Sequence, residues 1–198
     1  MEEKVFAITN EKELPIIALE VHHFQFNNNN IYRDYCNAIG RQPGKVNKVT
    51  DIPFLPISFF KTHRVETTEF NAGLLFKSSG TTGITTSSHY VKDAALYRKS
   101  FRQGFEKFYG NINEYCIIGL LPSYLERGNS SLVYMVNDLV KKRCQNDIVF
   151  YLDEFENLDQ TLKKLNASGQ KTILIGVTYA LLDFCEQYPQ RRSSTIIV

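Results

Sequence analysis

The stretch FKSSGTTGITTSSHYVKD, Phe76 to Asp93, gathers eight Ser/Thr residues and two glycines between Ser78 and Ser88. Residues of these types can cup an anion. Glycine admits left-handed backbone and close approach, so successive N–H groups can converge on one oxyanion, and small hydroxyls add donors without filling the cradle. One such contact in a partly exposed site contributes only about 0.3–1 kcal/mol, so several must act together. The same composition also describes a flexible surface linker, and taken alone it favours that reading. The pattern is not GxxxxGK[ST], which requires Lys after the second glycine, because Ile84 follows Gly83.

Other residues with chemical reach are sparse. His22 and His23 have no third ligand at useful spacing, so no metal site is assigned. The four cysteines, Cys36, Cys116, Cys144 and Cys185, are scattered without a CxxC and read as buried free thiols of a reducing cytoplasm. ERGN, Glu126 to Asn129, follows LLPSYL at the C-terminal end of an expected strand, where α/β sheets place their ligands. Tyr124, Glu126 and Arg127 could therefore line a substrate mouth; an exposed loop accounts for them equally well.

The elements that must position these residues fall into two parts. Residues 1–72 read as a helical and extended N-terminal region, and 73–198 as an α/β subdomain carrying the Ser/Thr/Gly loop, together one incomplete domain. Asn28 to Asn30 offer helix caps ahead of an apolar face of Ile31, Tyr35, Ala38 and Ile39. The prolines of IPFLPISFF disfavour helix interior and central strand, which predicts an extended, buried connector. GLLFK and SHYV read as strands on either side of the loop. Asp93 then opens a helix with Tyr97, Phe101, Phe105 and Phe108 as its core stripe and Gly110 as its stop.

From Tyr115 the chain alternates. YCIIGLL, DIVFYL, KTILIGV and STIIV read as strands, and SSLVYMVNDLVKK, FENLDQTLKKLNASG and TYALLDFCEQY as the helices between them. Short apolar strands separated by helices of this length predict an α/β fold with a largely parallel sheet wrapped on both faces. The chain stops on an apolar strand, which reads as part of a longer protein.

Composition sets the remaining bounds. Hydrophobic residues are 43% and charged residues 22% of 198, which is globular rather than disordered. A net charge of +2 with both signs interspersed gives no basis for nucleic-acid binding. No apolar run reaches the roughly 20 residues of a membrane span, and a cytoplasmic location is expected.

Two resemblances bear on the loop. Thr82-Gly83-Ile84-Thr85 resembles the second half of the flavodoxin phosphate loop, (S/T)xTGxT, but Gly80 stands where that pattern has Ser or Thr. A strand rather than a helix is expected after it, so an FMN or other small-molecule module is the alternative reading. SSGTTG, Ser78 to Gly83, is similar to the phosphate-binding signature of the adenylate-forming superfamily. Together with IPFLPISFFKTH (Ile52 to His63), SHYVKDAALY (Ser88 to Tyr97) and LLPSYLERGNSSLVYMV (Leu120 to Val136), it resembles the acyl-protein synthetase family in matching order, from about residue 20 onward.

That resemblance implies ATP-dependent activation of a carboxylic acid, typically a fatty acid, as an acyl-adenylate for transfer to a protein thiol. It implies partners of the acyl-reductase or acyl-acceptor kind. By position it gives the β- and γ-phosphate contacts to Ser78, Ser79, Gly80, Thr81, Thr82 and Gly83, with Thr85 outside them. His63 and His89 lie in resembling segments and become candidates for the substrate pocket, beside a purely structural role for each. Many relatives continue the loop with Pro-Lys where this chain has Ile84-Thr85-Thr86, so Lys92 and Arg98 are the conceivable cations for the outgoing pyrophosphate. Residues for Mg²⁺, ribose and the acyl-accepting cysteine are expected beyond Val198, which leaves open an inactive relative that acts as an interaction partner.

Overall fold

The computed structural model describes residues 1–78, 86–121, 128–141 and 150–198. The chain divides into two compact units, Met1–Ala94 and Ala95–Val198.

In the first unit, α1 (Glu2–Phe6), α2 (Glu13–Asn28) and α3 (Asn30–Ala38) precede single 3-10 turns at Pro43–Lys45 and Val49–Asp51. The expected cap at the Asn run forms at Asn29, whose side chain accepts the Tyr32 N–H. The face that α3 buries differs from the expected one. Tyr32 and Cys36, an i,i+4 pair, are buried, while Ala38 and Ile39 are exposed. A phenol can replace aliphatic residues there because its hydroxyl finds partners inside. It donates to Pro53 O (2.8 Å) and lies 3.0 Å from His22 Nδ1.

The segment after α3 corrects another expectation. Between Ile52 and Ser58 the chain is irregular but not buried, with Phe54 at 79% and Ile57 at 77% exposure. Its prolines prevent a regular hydrogen-bonded partner from covering it. The short helix α4 (Phe59–Thr62) follows, then β1 (Leu74–Lys77) and β2 (Ser88–Val91), which pair antiparallel.

The second unit is the α/β part. Helix α5 (Ala94–Tyr109) leads to β3 (Cys116–Leu120), α6 (Ser131–Lys141), β4 (Phe150–Tyr151), α7 (Phe155–Ala167), β5 (Thr172–Gly176), α8 (Thr178–Gln187) and β6 (Thr195–Ile197). Among the described residues these strands form one sheet in the order β4-β3-β5-β6, and every neighbouring pair is parallel. The α/β expectation is met, with helices on both faces.

Strand pleating explains how. Ile117, Ile173 and Ile175 join a core with Phe105 of α5 and Val136, Leu139 and Val140 of α6. Their neighbours Ile118, Leu120 and Leu174 point the other way, into Leu158 and Leu162 of α7 and Ala180 and Phe184 of α8. A strand buried on both faces has no polar side to show, which is why these segments read as unbroken apolar runs. On α5 the stripe continues to Tyr109 rather than Phe108, which is 81% exposed. Four residues on from Phe105 is about 40° around the helix and three residues is about 60° the other way, so only one of the two can stay on the core side.

The sheet also needs glycine at Gly176. A Cβ there would lie 2.8 Å from the Leu181 side chain and 3.1 Å from Leu120 O. Gly176→Ala is expected to lower the unfolding free energy by about 1–3 kcal/mol through overpacking, as read from urea denaturation.

Candidate functional site

The Ser/Thr/Gly stretch is carried by the β1–β2 hairpin, whose register runs from Leu74↔Val91 to Lys77↔Ser88. Beyond that last pair the two chains remain joined. Ser78 N–H donates to Ser87 O (3.1 Å), and Ser87 N–H donates to Ser78 Oγ (3.0 Å). Ser78 is thus a clasp across the loop base. At the far end of the hairpin Gly73 N–H donates to Val91 O, and a Cβ on Gly73 would lie 3.0 Å from Lys92 O, so the strands meet too closely there for a side chain. Ser79, Gly80, Thr81, Thr82, Gly83 and Thr85 lie outside the described residues, as do Tyr124, Glu126 and Arg127.

Of the two candidate histidines, each is exposed and each lies against a ring of α4. His89 stacks on Phe60 with centroids 5.5 Å apart and a 16° interplanar angle. His63 stacks on Phe59 at 5.1 Å and 23°, with its Nδ1 2.8 Å from Thr62 Oγ1. Phe59 also packs edge-on against Tyr35 of α3 (5.8 Å). One short helix therefore fixes the position of both imidazoles, His89 from the hairpin and His63 from the helix's own end. Cross-strand pairing puts His89 on the same face as the buried Phe76.

The opposite face of β2 carries Tyr90, with the Arg64 guanidinium 4.5 Å from its ring centroid. Arg64 Nε donates to Glu66 (2.7 Å) and Nη2 to Phe70 O (3.0 Å), so this arginine ties the 64–70 segment to the hairpin. Thr67 Oγ1 donates to Gln25 Oε1 (2.7 Å) and Thr68 N–H to Asn28 O (2.8 Å), anchoring the same segment on α2.

The two cations considered for the loop fare differently. Lys92 follows β2 at the end away from the loop, and at about 3.4 Å per residue it is roughly 13 Å from the Ser88 position. Arg98 donates to the Tyr134 hydroxyl (2.7 Å) within the second unit. The residue that sequence reasoning passed over is Lys77. It is exposed, ends β1 directly before Ser78, and projects to the face opposite Phe76. Period-two alternation in LLFK, with Phe76 inward, was the available signal.

The remaining candidates have structural placements. His22 is buried and bonded to Tyr32, with its ring edge-on to His23 at 5.8 Å. Among the described residues no group of three or more His, Cys, Asp or Glu side chains could hold a metal ion. Cys36 is buried and burial pushes its thiol up, but Cys185 is exposed, which corrects the expectation for that residue; Cys144 lies outside the described residues. No helix among the described residues is long and apolar enough to cross a membrane.

Compared with known proteins, the chain matches the family model described as "Acyl-protein synthetase, LuxE" over residues 5–189. Neither the curated proteins nor the solved structures give a match.

Proposed function

Because the chain belongs to the LuxE acyl-protein synthetase family, matched over residues 5–189, we propose that it takes part in ATP-dependent activation of a carboxylic acid for transfer to a protein. The observation that carries this reading is the pair of antiparallel strands, closed by the Ser78–Ser87 clasp, between which SSGTTG falls in the sequence. The described frame suits a triphosphate. Lys77 stands at the loop base, and no acidic side chain occupies 73–78 or 86–92.

In this reading Ser79 to Gly83, with Thr85, hold the β- and γ-phosphates by backbone N–H groups and hydroxyls, while Lys77 supplies charge. Their work is electrostatic positioning: they hold the leaving pyrophosphate in line while the acid's carboxylate attacks the α-phosphate. Mg²⁺ would accompany the nucleotide and would supply positive charge to its phosphate groups. The acyl-adenylate so formed would pass its acyl group to a thiol of the acceptor, the thioester forming as the thiol loses its proton and the acyl–phosphate bond breaks to release AMP.

A flavodoxin-type site would lead from the loop into a helix; here the loop leads into β2, antiparallel to β1. A flavin absorbance near ~450 nm in the purified protein would revive that alternative.

Two measurements test the proposal. The Thr81→Ala, Thr82→Ala double variant is expected to weaken ATP or pyrophosphate binding by about tenfold or more by calorimetry, since each lost bond to a charged acceptor is worth about 1.5–3 kcal/mol. Unchanged binding removes the loop from the site. ATP–pyrophosphate exchange by the full-length gene product, dependent on an added carboxylic acid, is expected. Absence of exchange with every acid of a broad panel refutes acid activation.

A further inference from the structure

The connection from α3 to α4 leaves two large apolar side chains in water. Phe54 is 79% exposed and Ile57 77%, while Leu55 between them is half-buried. The backbone beneath them is held. Pro53 O accepts the Tyr32 hydroxyl (2.8 Å), which anchors the segment on α3. Phe59 N–H donates to Pro56 O and Phe60 N–H to Ile57 O, which winds it into α4. Phe59 and Phe60 of that helix pack against Tyr35 and His89. Phe54 and Ile57 therefore project from a fixed support, and little ordering remains to oppose whatever covers them.

Charge in the same stretch is one-sided. Arg41, Lys45, Lys48 and Lys61 are all exposed. Asp51 is the one carboxylate between Asp34 and Glu66, and it is half-buried with its Oδ2 accepting the Asn47 N–H (3.3 Å). Over the whole chain the two signs nearly balance, at 23 basic and 21 acidic residues, so this excess of cations is local.

From these observations we propose that residues 41–62 form a docking surface for an anionic lipid bilayer. Phe54 and Ile57 enter the boundary between headgroups and acyl chains, and Lys45, Lys48 and Lys61 meet the lipid phosphates. Apolar side chains flanked by lysines suit a position in the plane of an interface, and an anionic leaflet attracts each cation held close to it. The protrusion of the two side chains favours lipid over protein. A protein partner would need a separate pocket for each, whereas fluid acyl chains close around both. The surface includes no residue of SSGTTG, so the proposal stands or falls separately from the phosphate-loop reading.

Flotation of the protein with vesicles of phosphatidylcholine and about one-third phosphatidylglycerol tests it. Binding is expected at least about tenfold tighter than to phosphatidylcholine alone, and weaker as salt rises from about 0.1 M to about 0.5 M. The Phe54→Ser, Ile57→Ser double variant is expected to weaken binding by about tenfold or more. The Lys45→Gln, Lys48→Gln, Lys61→Gln triple variant is expected to do the same, by about tenfold or more. All five side chains are exposed, and an unchanged urea midpoint checks that the variants fold. The chain contains no tryptophan, so Phe54→Trp installs a single reporter. Its emission is expected to move to shorter wavelength on the anionic vesicles, while Phe108→Trp, similarly exposed in the other unit, stays unchanged. No binding to anionic vesicles, equal binding to neutral ones, wild-type binding by either multiple variant, or an equal shift at both tryptophans would overturn the proposal. A dimer in place of vesicle binding, abolished by the double serine variant in sedimentation, would overturn it too, by giving these side chains to a second copy of the chain.

Discussion

Asp159→Ala is expected to remove about 3–5 kcal/mol of unfolding free energy, the cost of leaving a buried charge without its counter-ion. Asp159 is 2% exposed on α7 and receives Arg192 at 2.7 Å and Lys163 at 2.6 Å. Arg192 is itself buried, so truncating the carboxylate strands a guanidinium. Lys163 is half exposed, and Lys163→Ala should cost no more than about 1 kcal/mol. If the two truncations cost the same, the buried pair is not the source of the effect.

The pair also has a pH signature. Burial works to raise the Asp159 carboxyl, but hydrogen bonds and charge from Lys163 and Arg192 prevail and hold it below the ordinary carboxylate value. A folded-state pKa below the unfolded one means the contribution is intact above the unfolded value of about 3.9 and is lost as pH falls through the folded one. Urea titrations at neutral pH and in the acid carboxylate range are expected to show that loss in the wild type. They should show it much reduced in Asp159→Ala.

Tyr32→Phe is expected to cost about 1–3 kcal/mol, because one hydroxyl serves both the buried His22 and the half-buried Pro53 carbonyl, and His22 is left unsatisfied. Tyr32 gives its only proton to Pro53 O, so His22 must donate Nδ1–H to the phenol oxygen and keep Nε2 as a bare acceptor. That Nε2 is buried with no partner among the described residues. Protonating it would place a charge in the core, and burial, with His23 adding repulsion, accordingly holds the His22 imidazolium below its ordinary value of 6.5. The folded pKa again lies below the unfolded one. Stability from His22 is intact above about 6.5 and falls as pH drops through that range. The first unit should therefore begin to loosen at a pH where the Asp159 pair of the second unit is still intact. Hydrogen exchange of α2 and α3 peptides against α7 and α8 peptides checks this, and simultaneous loss of protection in both sets would sink it.

How much was legible in the sequence depended on how many neighbours each residue must satisfy. Strands β3 and β5 were readable because Ile117–Ile118 and Ile173–Leu174 are buried on both sides whatever the strand order. The order β4-β3-β5-β6 itself was not, since pairing is decided by crossovers that periodicity does not encode. Helix α5 was found but its face was set one residue off, at Phe108 instead of Tyr109, because both are aromatic and only packing separates them. Apolar content misled at Phe54 and Ile57, where hydrophobicity alone says nothing of what covers a proline-bounded segment.

At the candidate site, the strand–loop–strand frame followed from SHYV, whereas the ring stacks that fix His63 and His89 depend on α4, which linear spacing does not reveal. The position of Lys77 was visible in the alternation of LLFK. The unpartnered Arg192 Nη1 and Thr195 Oγ1 were not, because such an atom is recognised only once its neighbours among the described residues have been placed.

The clasp between Ser78 and Ser87 has one more implication, and it concerns evolvability. Two hydrogen bonds close the base of the loop independently of what lies between. Once the ends are fixed, doubling the length of an intervening segment adds only about 0.6 kcal/mol of closure entropy. The hairpin thus behaves as a socket into which different tip sequences can be fitted while the register of β1 and β2 stays put. Selection can then revise the ligand chemistry at the tip with little risk to the scaffold beneath it.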